Sequence, residues 1–419
     1  MTSSSPTETS LRWAPWWVLA FVALWPLHGP AEVVLSLGAL AALAVLALSR
    51  FRGGMSLLSH EAWALTSVLF CAYWLPELFS SFDAVDAGRA LRESLVDLRY
   101  LPFLWLVAMA VASERGRRLT FGGIAIICAF WLVDALVQAT TGWSLGGPAT
   151  ADRLSGVFGA ENLKLGLVLA SLAPFPLAAA AQRFGVAGWL LAAAALVVVV
   201  LLAGARASWL TLGLVLVFSG WRQLGGKRAL LVLGLGGALL FGLAVTFSDK
   251  LQERVERTEA ALNGGSDGLD HALSGRLPIW QAAWNMARAH PVNGVGVRGF
   301  RQAYPEYAVE GDPWLQDAEH GAGYHAHQIV LEVLSETGVV GLLLWLGGVA
   351  LAWRAWRFAT PAARARASVP ALALAVTVFP LNTHLAFYST FWGGLTLLLA
   401  ALYSGSLLAR HDDADDGAR

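Results

Sequence analysis

Charge and cysteine are scarce in this sequence. Only 14% of its 419 residues are charged, 57% are hydrophobic, and two are cysteine. Cys71 and Cys128 both lie inside apolar runs, where the thiol behaves as a small hydrophobic group. The sequence therefore offers neither a disulfide framework nor a thiolate metal site. The net charge is zero, so only the distribution of charge along the chain is informative.

Motifs for nucleotide and metal chemistry are missing as well. There is no Walker loop and no aspartate-rich motif of the kind used with nucleotide sugars. Glu319, His320, His325 and His327 are the nearest approach to a set of metal ligands. Because their spacing matches no closed metal site, we expect no metal here.

What the sequence does have is long apolar runs. A helix needs about 17–25 such residues to cross a bilayer. Twelve segments fit, and their approximate limits are 13–28, 31–49, 61–79, 99–113, 119–140, 162–182, 186–203, 207–221, 229–247, 328–352, 368–385 and 389–409. The sequence therefore predicts an all-α polytopic membrane protein with about twelve transmembrane helices and a long helical loop between spans nine and ten.

This order divides the chain into four parts. The first nine spans occupy residues 1–247, the loop 248–327, spans ten to twelve 328–409, and a polar tail 410–419. If the termini lie inside, 16 of the 29 Lys and Arg residues fall on the inner side, and six fall in the short outer loops. The positive-inside rule therefore predicts cytoplasmic termini and places the long loop on the outer side.

The long loop is expected to contain two helices. Residues 249–263 read as an amphipathic helix, and a second helix begins near Ser274, a plausible N-cap, and stops at His290. The apolar face of the second helix is predicted to hold Ile279, Trp280, Ala283, Trp284 and Ala287. Such a face should lie against the membrane surface or the transmembrane bundle.

An earlier outer loop, residues 80–98, also reads as an interfacial helix. Leu91, Leu95 and Leu98 are spaced along one face. Arg89 stands four residues before Glu93, which favours a pair within the helix. The loop therefore predicts a short helix lying at the bilayer surface.

His327 is the first candidate for chemistry. It stands where an apolar helix begins, and we expect it in the first turn of that helix, where the helix dipole favours a neutral imidazole. A neutral imidazole is a possible general base. The alternative is that His327 only caps the helix at the membrane interface.

Arginines on the outer side are the second candidate site. Arg153, Arg206 and Arg276 occupy outer loops, where topology disfavours cations. Guanidinium groups bind phosphate through two parallel hydrogen bonds, so their convergence would suit a diphosphate or another polyanion. The alternative is that each arginine reaches to lipid headgroups. Asp134 and Gln138 lie within span five and are either functional or packed against a polar neighbour.

Four patches of the sequence resemble one protein family. They are residues 153–158; residues 204–209; Ser274, Gly275 and Arg276 with Trp280, Pro291, Gly294, Gly296 and Phe300; and Ala326 and His327 with Leu331, Glu336, Gly338 and Gly341. These patches resemble the O-antigen ligase and polymerase superfamily of bacterial membrane glycosyltransferases. Residues 380–390 resemble the ligase branch, and Gln328 departs from the asparagine that the family often has.

The resemblance implies a reaction and roles for residues. The reaction would be inverting transfer of a polysaccharide from undecaprenyl diphosphate to lipid A core oligosaccharide, at the periplasmic face of the bacterial inner membrane, without metal, nucleotide or nucleic acid. His327 would be the catalytic base, and Arg206 and Arg276 would bind the diphosphate. Arg153 matches a family position that we assign to the same site. Further candidates are Arg89, Arg92, Arg99 and His384.

Two alternatives stay open. An O-antigen polymerase of the same superfamily would use a lipid-linked acceptor, and residues 383–390 favour the ligase over it. A lipid or solute transporter would place ionisable groups at mid-membrane, ideally in two matching halves. Here the arginines crowd one surface and the halves do not match, which disfavours transport.

Overall fold

The computed structural model describes residues 12–27, 29–51, 57–149, 153–160, 162, 164–247, 252, 255, 275–316, 325–382 and 386–409. Within these residues the regular structure is helical except for one hairpin of two-residue strands, β1 (Trp143–Ser144) and β2 (Gly147–Pro148). The structure thus confirms the all-α class. Two free cysteines, one buried and one half-buried, agree with the absence of a disulfide.

The described helices follow the predicted apolar segments. Ahead of the long loop they are α1 (Ala14–Ala23), α2 (Pro30–Phe51), α3 (His60–Ser80), α4 (Ala87–Asp97), α5 (Tyr100–Ala110), α6 (Glu114–Thr141), α7 (Leu165–Leu172), α8 (Pro174–Leu202), α9 (Arg206–Gly220) and α10 (Lys227–Phe247). The loop carries α11 (Leu277–Ala289), α12 (Phe300–Tyr307) and α13 (Pro313–Gln316). The last helices are α14 (Ile329–Phe358), α15 (Pro361–Thr377) and α16 (Thr390–Leu407).

Six described helices are long and apolar enough to cross a membrane. They are α2, α3 with the 3₁₀ turn that follows it, α6, α8, α14 and α16. The chain is therefore a multi-pass membrane protein. Each of the twelve predicted segments contains helix, but α1, α5, α7 and other shorter helices do not meet the length on their own, so the number twelve stays a prediction.

Local sequence explains where these helices begin and end. Ser59, Ser113 and Ser389 each accept a hydrogen bond from a backbone N–H of the first turn that follows them, as N-cap residues do. Gly142 ends α6 in the left-handed conformation with φ of 78°, which costs glycine little. The first predicted loop helix, 249–263, lies outside the described residues except for isolated positions.

Two long helices are bent at glycines. Gly185 interrupts α8 with φ of 63°, and Gly338 interrupts α14 with φ of 64°. The break at Gly185 falls between the predicted segments 162–182 and 186–203. Gly185, which tolerates positive φ, therefore separates these two apolar segments within one helix.

The bundle is organised around α3, which packs against α14 and α16. Small residues allow this close approach, because a Cβ on Gly348 would lie 2.6 Å from Cβ of Ala72, and a Cβ on Gly393 would lie 2.2 Å from Oη of Tyr73. Apolar side chains such as Ile126 and Leu343 point away from the bundle and are exposed. Such outward apolar surface suits contact with lipid acyl chains.

Candidate functional site

The segment after α11 is docked into the bend of α14. Val339 N–H donates to the Pro291 carbonyl at 2.8 Å, Val295 N–H to Ser335 at 2.9 Å, and Gly296 N–H to Glu336 at 3.0 Å. The bend at Gly338 exposes these backbone groups, which a straight helix would use internally. Residues 291–296 thereby fix the loop helices to a transmembrane helix.

Glycines are required at this junction. Gly294 has φ of 67°, and a Cβ there would lie 2.3 Å from the carbonyl carbon of Glu336. A Cβ on Gly338 would lie 2.2 Å from the carbonyl oxygen of Val292. Two backbones can pass this closely only without side chains. The glycines that carry the family resemblance thus serve the docking of the loop.

Helices α11 and α14 begin at the same end of the junction. The residues after α11 pair with the middle of α14, and Ala326, just before α14, packs with Ile279, Ala283 and Met286 on the apolar face of α11. This face lies on protein, whereas the sequence had left open whether it contacts the membrane surface or the transmembrane bundle. Trp284 was assigned to it wrongly: its side chain is 48% exposed, and Ala282 and Met286 take the buried positions.

His327 lies before α14 rather than in its first turn, which corrects the prediction. The helix begins at Ile329, and the Gln328 side chain caps it by accepting the Leu331 N–H at 2.6 Å. The Gln328 amide also donates to the Pro380 carbonyl at 2.9 Å. Gln328 supplies the side-chain cap, so the alternative in which His327 is merely the cap loses its basis.

The backbone of His327 is strained. Its φ is 51°, in the left-handed region that non-glycine residues seldom occupy. Such conformations cost about 1–3 kcal/mol and persist where the surroundings impose them, often at functional sites. The imidazole ring lies 3.8 Å from that of His325, measured between centroids, with an angle of 47° between the planes. His327 therefore combines a strained backbone with close contact to a second imidazole.

The structure brings the three predicted arginines together. Burial lowers the pKa of Arg276, and the positive charges of Arg206 and Arg153 lower it further. Only neighbouring cations can act on the guanidinium in this way. The three residues therefore form a cationic cluster, in which the positive charges of Arg153 and Arg206 lie close enough to act on Arg276.

Backbone dipoles reinforce the cationic cluster of Arg153, Arg206 and Arg276. Arg206 is the first residue of α9, after a turn at Gly204 with φ of 76°, and Arg276 immediately precedes α11. Helix N-termini present unpaired N–H groups and the positive end of the dipole. Two helix starts and three guanidinium groups thus share one region, which is an arrangement suited to a polyanion.

Asp134 and Gln138 have a structural role in this arrangement. Gln138 Oε1 accepts the N–H groups of Ser155 and Gly156 at 2.9 and 2.8 Å, and Asp134 Oδ1 accepts the Leu145 N–H at 2.9 Å. These bonds hold the segment that follows Arg153. Of the two alternatives for these polar residues within α6, the structure supports packing against polar neighbours.

Ser144 also closes a loop. It occupies the centre of a Gly-x-Ser-x-Gly sequence, residues 142–146, which resembles the nucleophile turn of certain hydrolases. Its hydroxyl lies 2.9 Å from the Gly147 carbonyl and 3.1 Å from that of Gly156, within the β1–β2 hairpin. Ser144 therefore stabilises the hairpin and does not stand at a strand-to-helix turn.

The other predicted residues lie in different places. Arg99 pairs with Glu32 at 3.0 Å and also bonds Ser36, both on α2. Arg92 is exposed on α4. His384, Glu319 and His320 lie outside the described residues. Among the residues that the structure describes, no group of three or more His, Cys, Asp or Glu could hold a metal ion.

Arg298 is a residue that the sequence analysis missed. Its guanidinium contacts Glu93 and lies 3.3 Å from Asp97, and its backbone N–H donates to Glu336 at 2.9 Å. Burial opposes its charge, but the nearby carboxylates outweigh burial and raise the pKa of Arg298. Glu93 thus pairs with Arg298, and the expected pair with Arg89 is wrong. Only the position of Arg298 between Gly296 and Phe300 could have drawn attention to it.

A polar cavity of about 570 Å³ opens beside this pair. The residues that line it include Arg89, Arg301, His325, Glu332 and Tyr388. Because the His325 ring contacts that of His327, the cavity reaches to within one imidazole of the candidate base. Arg89, a candidate of lower rank in the sequence, therefore belongs to this cavity.

Comparison with known proteins gives two matches. The family model described as O-antigen ligase matches residues 191–346, a range that includes Arg206, Arg276 and His327. The exopolysaccharide production protein ExoQ of Rhizobium meliloti (strain 1021) is 34% identical over 89 residues, which are 19% of this chain and 18% of that protein. The matched part is thus a small fraction of the relative's length. Residues 191–346, which contain the glycine junction and two of the three clustered arginines, are therefore similar to the O-antigen ligase family.

Proposed function

We propose that this protein is an O-antigen ligase, which transfers a polysaccharide from undecaprenyl diphosphate to lipid A core oligosaccharide in lipopolysaccharide biosynthesis. The observation that carries the proposal is the cationic cluster of Arg153, Arg206 and Arg276 at the starts of two helices. The enzyme would lie in the bacterial inner membrane, with cytoplasmic termini and an active site that faces the periplasm.

The cationic cluster would bind the diphosphate of the donor. Planar guanidinium groups bind two phosphate oxygens at once, and their charge persists at any physiological pH. Charge on the leaving diphosphate grows as its bond to the sugar breaks, so fixed cations and helix N-termini stabilise the transition state more than the ground state. We therefore expect the reaction to need neither a metal ion nor a nucleotide.

His327 would act as the base. One imidazole nitrogen takes the proton of the acceptor hydroxyl while that oxygen attacks the anomeric carbon of the donor sugar. The new bond forms as the bond from that carbon to the diphosphate oxygen breaks, and the electron pair leaves with the diphosphate. A single displacement inverts the anomeric centre. The strained backbone of His327 supports this role, because such conformations often occur at functional sites.

A polymerase is the second candidate. The similarity to an exopolysaccharide production protein favours it, since a polymer can also be built by transfer between lipid-linked glycans. The cationic cluster and the base would serve both reactions equally. The two candidates differ only in the acceptor, which would be a second lipid-linked glycan for the polymerase.

Reconstitution of the purified protein tests the proposal. Proteoliposomes receive undecaprenyl-diphosphate-linked glycan with or without rough lipopolysaccharide, in the presence of EDTA. A ligase joins glycan to lipopolysaccharide only when both are present, and the chelator has no effect. Longer lipid-linked glycan without lipopolysaccharide would instead identify a polymerase. No glycan product under any of these conditions would contradict both candidates.

A further inference from the structure

A second cavity, of about 600 Å³, lies among the transmembrane helices and has no part in the proposed reaction. Most of its lining comes from α3, α14, α15 and α16, and the rest comes from the end of α9. The lining residues include Ala72, Arg222, Trp345, Trp356, Ala375 and Tyr403. Where the structure describes it, the lining is largely apolar and contains one charged side chain, that of Arg222. We call this space the apolar groove. Its volume falls within the range of roughly 300–1,000 Å³ that is usual for ligand sites.

The groove exists because two consecutive helices separate. Only Ala359 and Thr360 lie between α14 and α15, and so short a connection usually leaves two helices packed side by side. Here α14 packs chiefly against α3 and α11, whereas α15 packs chiefly against α16. At the far end from the connection the two helices are joined again, because the Gln328 amide donates to the Pro380 carbonyl at 2.9 Å. The groove occupies the space between these two points.

The length of the groove corresponds to one leaflet of a bilayer. On α14 it runs from Trp345 to Trp356, which is about 16 Å at 1.5 Å per residue. The hydrocarbon core of a bilayer is about 30 Å thick. This stretch lies in the second half of α14, towards the end that the positive-inside rule places at the cytoplasm. The groove is therefore expected to lie in the inner leaflet.

Aromatic rings close the outer end of the groove. The Phe387 ring packs against those of Tyr73 and Trp345, with centroids 5.2 and 6.4 Å apart. All three residues line the groove, and Tyr388, which follows Phe387, lines the polar cavity instead. A lipid chain that came from the outer side would meet this wall of rings.

The inner end of the groove is open to the bilayer. Three aromatic residues of the lining are more than half exposed, namely Phe218, Trp221 and Trp353. Tryptophan is typical of the zone where acyl chains meet headgroups. An acyl chain can therefore enter the groove from the inner leaflet.

The charge at the inner end is positive. Arg222 is exposed there, and so are Arg354 and Arg357 near the end of α14. The sequence contains no Asp or Glu from 162 to 248 or from 337 to 411, and within the described part of the chain no carboxylate pairs with Arg222. Guanidinium groups bind phosphate well, and basic pockets between helices on the cytoplasmic side suit anionic lipid headgroups.

We propose that the apolar groove is a binding site for an anionic phospholipid of the inner leaflet. One acyl chain lies between α14 and α15, and the phosphate pairs with Arg222. The bound lipid fills the space that the two helices leave between them and stabilises their arrangement. This site is separate from the cationic cluster of Arg153, Arg206 and Arg276 and does not depend on glycan transfer.

Native mass spectrometry of the full-length protein in mild detergent tests the role of Arg222. Delipidated protein is titrated with phosphatidylglycerol, which is anionic, or with phosphatidylethanolamine, which is zwitterionic. We expect the wild type to bind one phosphatidylglycerol about five- to tenfold more tightly than phosphatidylethanolamine, and Arg222→Gln to lose this preference. Arg115→Gln, at an exposed arginine of α6 on the same predicted side of the membrane, is the matched control and should keep it.

A groove-filling variant tests the place of the acyl chain. Ala375 is exposed and lines the groove, so Ala375→Phe occupies the space at little cost to folding. We expect this variant to bind both lipids about tenfold more weakly, because apolar contact with the chain is lost. Ala129→Phe, at an exposed alanine of α6, which does not contribute to the groove, should bind both lipids as the wild type does.

Thermal unfolding in detergent is the second readout. Added phosphatidylglycerol should raise the melting temperature of the wild type and of both controls more than that of Arg222→Gln or Ala375→Phe. Equal binding and equal stabilisation in the wild type and all four variants would show only bulk lipid around the helices, with Arg222 reaching to ordinary headgroups, and would overturn the site. Recovery of an isoprenoid lipid in place of phospholipid from the purified wild type would overturn the assigned occupant.

Discussion

At the scale of single residues, the account depends on the geometry of guanidinium groups. Arg206→Lys and Arg276→Lys keep the charge but lose the planar two-point contact with phosphate. We expect each to lower glycan transfer at least about tenfold, with normal expression and an unchanged melting temperature. Arg288→Lys is the exposed control on α11. Near-normal transfer by both variants, measured in proteoliposomes, would favour contact with lipid headgroups over a diphosphate site.

The convergence of these arginines could be predicted because topology restricts where they can lie. Cations in outer loops lie on the same side of the membrane, and the structure places Arg153, Arg206 and Arg276 close to one another. Arg298 could not be predicted in the same way. Its partners Glu93 and Asp97 lie about 200 positions away in the sequence, and nothing local distinguishes a buried ion pair from an exposed one.

Arg298 gives a prediction with a defined pH dependence. Arg298→Met leaves Glu93, Asp97 and Glu336 without their cation, and breaking such a buried pair costs about 3–5 kcal/mol. Burial raises the pKa of Asp97 to about 6 even with Arg298 present. At pH 5 this carboxyl is largely protonated and needs a cation less. We therefore expect the melting temperature of the variant to fall further below that of the wild type at pH 7.5 than at pH 5. Thermal unfolding in detergent measures this difference.

The sign of the pH effect follows from proton linkage. Because folding raises the pKa of Asp97 from 3.8 to about 6, the native state holds this proton more tightly than the unfolded state. This group therefore contributes less stability as the pH rises through that interval. If Arg298→Met lowers the melting temperature equally at pH 5 and pH 7.5, protonation of Asp97 does not change its interaction with Arg298.

At the scale of elements, the junction between the loop and α14 is the critical contact. Gly338→Ala would place a methyl group 2.2 Å from the Val292 carbonyl oxygen, at a positive φ. An overpacking cost of about 1–3 kcal/mol should lower the melting temperature by roughly 2–6 °C. The rate of glycan transfer should fall as well. Gly347→Ala is the matched control in the same helix, because a Cβ there meets nothing within 4 Å. A Gly338→Ala variant as stable and active as Gly347→Ala would contradict the role of the junction.

Element boundaries were predictable where the sequence carries a local signal. α11 ends at Ala289 before His290 and Pro291, as expected. His327 was wrongly placed in the first turn of α14, which begins at Ile329, because an apolar run does not reveal that the Gln328 side chain supplies the cap. Trp284 was wrongly assigned to the buried face of α11 for a similar reason. Helical spacing alone does not show which residues at the edge of a face contact a neighbouring element.

At the scale of the whole molecule, the topology can be tested by labelling. With Cys71 and Cys128 replaced by alanine, single cysteines at Gln281 and Ala362 report on the loop and on the α14–α15 connection. Both positions are exposed. We expect an impermeant thiol reagent in the periplasm to label Gln281→Cys and to leave Ala362→Cys unlabelled until the membrane is broken. Reversed labelling would overturn the positive-inside assignment and the periplasmic site.

The overall architecture was predictable only in part. Composition alone indicates helices in a membrane, because every backbone group in the bilayer must be bonded internally. Composition does not distinguish a short helix that crosses the membrane from one that is buried or interfacial, and α1, α5 and α7 are of that kind. The polar cavity brings α4, α12 and α14 together and so depends on packing that no apolar run specifies.

The most direct test of the central claim is the rate of glycan transfer by His327→Gln at saturating acceptor. Glutamine can hydrogen-bond as a neutral imidazole does, but it cannot take up a proton at neutral pH. A general base contributes about 10²- to 10⁴-fold, so we expect transfer at least about a hundredfold slower, with donor binding and melting temperature unchanged. His60→Gln, at the exposed first residue of α3, should transfer at the wild-type rate. A His327→Gln enzyme within a few fold of the wild type would remove His327 from the reaction and contradict the account.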